Sequence, residues 1–144
     1  MRVSLWGSQL WHVLHCVTFD YPETPSAADK LHYLQFFQSL AFVLPCEKCQ
    51  KHFQELMGPK SPLPLSPALK NRDTLSRWLV DVHNLVNERT GKPSMTYESV
   101  RDRYVSMQQT GVDPTQRVFC WTWVILLLSL LVGIVMVVQH VRKS

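Results

Sequence analysis

Two cysteines at CxxC spacing follow a proline in "FVLPCEKCQKHFQEL", residues 42–56. Cys46 and Cys49 admit three chemistries: half of a zinc site, a structural disulfide or a redox centre. Zinc needs four ligands, usually from two such pairs, and the chain offers only histidines such as His52 or His83 in place of a second pair. A thioredoxin-like motif would need a preceding strand in a βαβ setting, which the surrounding sequence lacks. A disulfide across so short a loop removes little entropy from the unfolded chain, which makes it a poor staple. Redox chemistry is the reading left standing. Pro45 suits a helix start, where free backbone amides and the positive end of the helix dipole favour a thiolate.

A second set of residues gathers by helical spacing. Trp11 and His15 are four apart on one predicted helix face, and His83 and Asn87 are four apart on another, beside Asn84. Each residue alone reads as an ordinary core tryptophan or a satisfied histidine. Alongside a CxxC pair they become candidates for one site.

The elements that must position these residues are helical. Leu10, Trp11, Leu14 and Val17, and later Trp78, Leu79, Val82, Leu85 and Val86, recur at three- and four-residue spacing, and no alternating strand pattern appears. The expected fold class is all-α, a four- or five-helix bundle with helices at about 4–19, 26–44, 46–57, 73–90 and 96–108. "DYPETPSAAD" separates the first two helices, Pro45 interrupts the second, and Asp73 or Asn71 caps the fourth, which ends at Gly91-Lys92-Pro93. The proline-rich "GPKSPLPLSPALKNRD" reads as a surface connection.

At 144 residues with a formal charge of +4 spread along the chain, one compact domain is expected and nucleic acid is not an expected partner. No internal repeat or low-complexity tract is visible. Four cysteines, Cys16, Cys46, Cys49 and Cys120, do not make a disulfide-rich scaffold. "MRVSLWGSQLWHVLHC" is interrupted by Gln9, His12 and His15 and reads as mature structure rather than a signal peptide. From Val118 to Gln139 no charged residue occurs, a length that spans a ~30 Å hydrocarbon layer as a helix. Trp121 and Trp123 mark one interface, and His140, Arg142 and Lys143 stop the other end. The expected organisation is a domain at 1–108, a linker at 109–117, a transmembrane helix at 118–139 and a short basic tail at 140–144. Such a tail-anchored, single-pass chain would keep its N-terminal domain in the cytosol; the charged flanks give the orientation only a weak vote.

Three blocks, "GSQLWHVLHCVTFDYPETP", "LPCEKCQKHF" and "RWLVDVHNLVNERTGKP", resemble in order and interval the Erv/ALR family of FAD-linked sulfhydryl oxidases, over residues 7–104. The resemblance implies a helical bundle that binds FAD, with the CxxC beside the isoalloxazine ring. It places Gly7, Trp11, His15 and Tyr21 from the first block, Cys49 from the second, and His83, Asn84, Asn87, Arg89 and Lys92 from the third near the cofactor, with Tyr104 where relatives often carry tryptophan. The ring chemistry agrees: tryptophan and histidine faces cover flat rings, Lys92 and Arg89 offset a pyrophosphate, and the asparagines suit polar edges. The resemblance implies that Cys46 exchanges with substrate thiols and that Cys49 faces the flavin, with oxygen as acceptor and hydrogen peroxide as product.

The chain departs from the family pattern in two ways. Leu79 and Tyr97 stand where many relatives have a structural cysteine pair, and no separate shuttle pair is present. The expected partner is therefore a dithiol protein, or a thioredoxin-like CxxC carrier, that meets Cys46 directly. Cys16 reads as a buried small hydrophobe, and Cys120 lies at the expected membrane edge. A domain of this size with a tail anchor resembles versions in large cytoplasmic DNA viruses, which implies a host intracellular membrane or a virion membrane. Relatives imply a homodimer, in which Phe36, Phe37 and Phe42 would serve either a subunit face or the core. The alternative function is a non-catalytic, membrane-anchored helical interaction protein, with Cys46, Cys49, His52 and one further ligand holding zinc.

Overall fold

A computed structural model describes the backbone of residues 2–111 and 114–143 and, within the last helix, the side chains of residues 123, 125–134, 136, 138–140 and 142. A 3-10 turn, Val3–Leu5, precedes helices α1 (Gly7–Phe19), α2 (Ala27–Val43), α3 (Glu47–Met57), α4 (Leu65–Ala68), α5 (Arg72–Arg89), α6 (Tyr97–Thr110) and α7 (Pro114–Lys143). The expected all-α class is what forms. The chain divides into two compact units, Met1–Val100 and Arg101–Ser144.

In the first unit α1 packs along α5, α2 along α3, and α4 against α5. Their apolar faces close over one core in which Tyr21, Phe37, Leu75, Leu79 and Val82 are fully buried. Phe37 meets Trp78 edge to face at 5.0 Å, the arrangement that aromatic quadrupoles favour. Burying a side chain of this size contributes roughly 1.5–3 kcal/mol. Of the three phenylalanines considered for a subunit face, Phe37 is core, whereas Phe36 and Phe42 are exposed.

Local signals set the helix ends. Ser26 and Asp29 form a reciprocal capping box at the start of α2, and Asn71 and Thr74 do the same for α5, so Asn71 rather than Asp73 is the cap. At the end of α5, Gly91 adopts φ +67°, Gly91 N–H donates to Glu88 O and Lys92 N–H to Asn87 O. This is a Schellman motif, and its left-handed residue needs glycine. The N-terminal helix expected from residue 4 is instead a 3-10 turn followed by α1, with the break at Trp6.

The proline-rich stretch is a correction. It holds α4 and buries Leu65, Ala68 and Leu69. Its carbonyls leave water because core side chains receive them: Trp78 Nε1 donates to Leu63 O at 3.0 Å, Tyr21 Oη to Leu69 O at 3.1 Å and Thr74 Oγ1 to Ala68 O at 2.8 Å. Paired in this way, irregular backbone can sit inside a core without an unsatisfied-polar penalty. Prolines signal the lack of regular structure, but not its burial.

In the second unit α6 runs on to Thr110 and α7 starts at Pro114, so helix occupies most of the interval expected as a linker at 109–117. Helix α7 displays Trp123, Ile125, Leu126, Leu127, Leu128, Leu130 and Leu131 more than half exposed. Among the described residues no helix is long and apolar enough to cross a membrane. The span expected at 118–139 falls partly on side chains outside the described residues, as does Cys120.

Candidate active site

The two cysteines sit where α2 turns into α3. Cys46 is the N-cap of α3 in an extended conformation, and its Sγ accepts the backbone N–H of Cys49 at 3.2 Å. Cys46 and Cys49 are joined in a disulfide, with their Cα atoms 5.2 Å apart. Both are half-buried, but they face different surroundings: Cys49 packs against the hydrophobic core, and Cys46 is not part of that cluster. Cys49 is thus the one of the pair that packs against the core. The pair sits at the N-terminus of α3, where the Cys49 amide and the positive end of the helix dipole favour a thiolate on Cys46. His52 lies further along α3, and among the described residues no group of three or more His, Cys, Asp or Glu is placed to hold a metal ion.

The second cluster joins α1 to α5. Trp11 and His83 stack face to face, centroids 3.9 Å apart and planes within 5°. His15, 2% exposed, lies with Nε2 3.1 Å from Nδ1 of His83. Burial pushes the His83 imidazole down to about 4, and the Lys92 charge acts in the same direction. His83 is thus neutral at pH 7, and the stack presents an uncharged flat surface. The aromatic series continues from His15 through Phe19 to Tyr97, at centroid spacings of 6.4 and 6.3 Å. Residues 68 apart in sequence meet here because α1 and α5 pack lengthwise.

The asparagines act on the backbone. Asn84 donates from Nδ2 to Met95 O at 2.8 Å and accepts Met95 N–H on Oδ1 at 2.9 Å. Asn87, buried, donates to Pro93 O at 3.3 Å. Together with the turn at Gly91 they lay residues 92–96 back along α5 and fix Lys92 at its rim. Tyr97 is fastened in turn by Ser76, whose Oγ lies 3.2 Å from its hydroxyl, and by the Arg77 guanidinium 3.8 Å over its ring. This polar and cation–π fastening occupies the neighbourhood where the expected cysteine pair is missing.

The remaining candidates are spread more widely. Gly7 opens α1, buried, with Val3 Cγ1 3.0 Å from where a Cβ would stand. Tyr21 is fully buried, and its hydroxyl is spent on Leu69. Arg89 is exposed and pairs with Glu55 of α3 at 3.6 Å, while Lys92 is exposed. Tyr104 lies half-buried on α6, in the second unit. Cys16 corrects the expectation of a buried thiol: it is exposed, with Sγ 3.9 Å from His12 Nε2. Trp6 is a residue the sequence reading missed. Its Nε1–H is enclosed at the start of α1 with no acceptor among the described residues. A tryptophan directly before the glycine of the first block was the available signal.

These residues fit a flavin dinucleotide. An enclosed indole donor at Trp6, a neutral stacked Trp11–His83 surface and the exposed cations Arg89 and Lys92 supply a donor, flat faces and pyrophosphate neutralisation.

A CxxC disulfide at a helix start and a stacked aromatic face on the same small helical bundle define the class of protein. The model of the Erv1/Alr family matches residues 8–105, and the chain belongs to that family. A mimivirus protein named "Probable FAD-linked sulfhydryl oxidase" (Acanthamoeba polyphaga mimivirus) is 40% identical over 97 residues, covering 67% of this chain and 66% of the relative. The mitochondrial FAD-linked sulfhydryl oxidase ERV1 of Saccharomyces cerevisiae is 31% identical over 87 residues, covering 60% of this chain and 43% of that protein. The chain thus spans just under two thirds of the first relative and under half of the second. The crystal structure of the FAD-binding domain of Erv1 from S. cerevisiae superposes with a TM-score of 0.64 at 29% identity, covering 72% of this chain and 93% of that one.

Proposed function

We propose that the protein is an FAD-linked thiol oxidase that forms disulfides in dithiol substrates through Cys46 and Cys49. The observation that carries this reading is the asymmetry of the pair, Cys46 at the N-cap of α3 and Cys49 packed against the core. A substrate thiolate attacks Cys46 Sγ, the Cys46–Cys49 bond breaks, and Cys49 leaves as a thiolate in the first turn of α3, at the positive end of the helix dipole. A second substrate thiolate then attacks the mixed disulfide, releasing Cys46 and an oxidised substrate. FAD, when bound, would supply the two-electron acceptor for the reduced pair, with oxygen as final acceptor and hydrogen peroxide as product. Trp6, Trp11, His83, Arg89 and Lys92 would hold it, and Asn84 and Asn87 would position the Lys92 segment.

The substrate in this reading is a dithiol protein or a CxxC carrier, since the sequence contains no further cysteine pair at close spacing. Exposed Val13, Leu31 and Phe36 on α1 and α2 support association into a homodimer. The exposed apolar side chains of the 30-residue helix α7 support a membrane anchor, with the redox unit on the cytosolic side of a host or virion membrane. There a tethered oxidase works locally against a reducing thiol pool.

Purified protein tests the core of the proposal. A yellow preparation absorbing near ~450 nm, the usual flavin region, that consumes oxygen with dithiothreitol is expected; colourless protein with stoichiometric zinc would overturn it. Protection of the N-terminal unit from protease in sealed membranes would reject the cytosolic orientation.

A further inference from the structure

The last turn of α2, next to the redox disulfide, carries side chains that the fold leaves uncovered. Phe42 is 68% exposed and Val43 69%, directly before buried Leu44. Val43 precedes Cys46 by three residues, so their Cα atoms lie within about 11 Å. That reach is roughly three residues of an extended peptide.

The corner is held by hydrogen bonds rather than left to fray. Gln50 Nε2 donates to Leu44 O at 2.8 Å, Gln54 Nε2 to Ala41 O at 3.2 Å, and Cys46 N–H to Leu44 O at 2.8 Å. These are the terminal carbonyls of α2, which otherwise turn to water. With them bound, Phe42 and Val43 are presented at a set position beside Cys46 before any partner arrives. The exposed charges nearby are Glu47, Lys48 and Lys51, a surplus of one positive charge. A thiol that reaches Cys46 brings its neighbouring residues over this corner.

We infer that Phe42 and Val43 dock the substrate, and that they select cysteine-bearing polypeptide segments with an apolar residue beside the cysteine. This rests on the oxidase reading of Cys46 and Cys49 and adds to it a specificity for the residues flanking the thiol. A small dithiol has nothing to place on the corner and is oxidised without its help.

The test uses the full chain with both residues replaced, Phe42→Ser and Val43→Ser. Oxygen consumption is measured with dithiothreitol and with two reduced two-cysteine peptides that differ only in leucine or serine beside each cysteine. The unaltered protein is expected to prefer the leucine peptide. The double variant is expected to raise the KM of that peptide by about tenfold, the scale of one apolar contact in a site, leaving dithiothreitol, the serine peptide and flavin absorbance unchanged. Phe42→Leu is expected to keep the preference. An unchanged KM for the leucine peptide, or an equal rise for both peptides, overturns the inference. So does a change in sedimentation that converts a dimer into a monomer, which would assign the corner to a second copy. Failure of the unaltered protein to oxidise dithiothreitol would instead overturn the oxidase reading beneath it.

Discussion

The α2–α3 corner and the α1–α5 face are assembled differently. At the corner, the groups that matter are close in sequence: Cys46 caps the helix that carries Cys49, Gln50 ties that helix to Leu44 six residues before it, and Gln54 ties it to Ala41 in α2, thirteen residues before it. At the face, His15 meets His83 across 68 residues of sequence and Trp11, one turn earlier, stacks on it, and the contact exists only because two long helices pack lengthwise. Sulfur chemistry tolerates exposure because thiols must be reached from outside. Flat-ring recognition needs enclosure, and enclosure is a tertiary property.

The comparison breaks most readily at the cysteines. Cys46→Ser is expected to cut turnover by at least about a thousandfold, because it removes the disulfide sulfur that the substrate thiolate attacks, while stranding Cys49 as a thiolate that adds long-wavelength absorbance to the flavin-bound protein. Cys49→Ser is expected to abolish both turnover and that band. The reverse pattern in titrated spectra would exchange the roles of the two sulfurs.

Acid probes the other region. His83 takes its proton near 6.5 in the unfolded chain and about 4 in the folded one, so between these values the unfolded state binds more protons. Stability complete above pH 6.5 is therefore lost as pH falls towards 4. Urea denaturation across this window measures it, and His83→Gln is expected to flatten the profile.

Smaller effects test how the face is held. Asn84→Ala strands both backbone groups of Met95 and is expected to cost about 2 kcal/mol, with weaker flavin retention on gel filtration. Retention equal to that of the parent would show that the 92–96 segment has no part in the site. Tyr97→Phe keeps the ring beneath Arg77 and removes only the hydroxyl beside Ser76, so a loss of about 1 kcal/mol is expected in thermal unfolding.

Local rules were legible residue by residue. The ends of α2, α3 and α5 fall within a residue or two of those read from Pro45, Asn71 and Gly91, because capping and left-handed turns depend on near neighbours. The proline-rich connection was misread because its burial depends on donors from Trp78, Tyr21 and Thr74, each distant in sequence or outside the loop. Cys16 was misread for a similar reason, since which side of α1 faces the core is decided by α5.

The sequence by itself determined that the chain is helical, where α2, α3 and α5 start and stop, and that two sulfurs share the first turn of one of them, since each depends on interactions within about one helical turn. Only the tertiary structure decided that His83 is neutral against Trp11, that Asn84 and Asn87 hold backbone, and that Cys49 packs against the core. Burial and long-range hydrogen bonding set those outcomes, and neither is a property of any short segment.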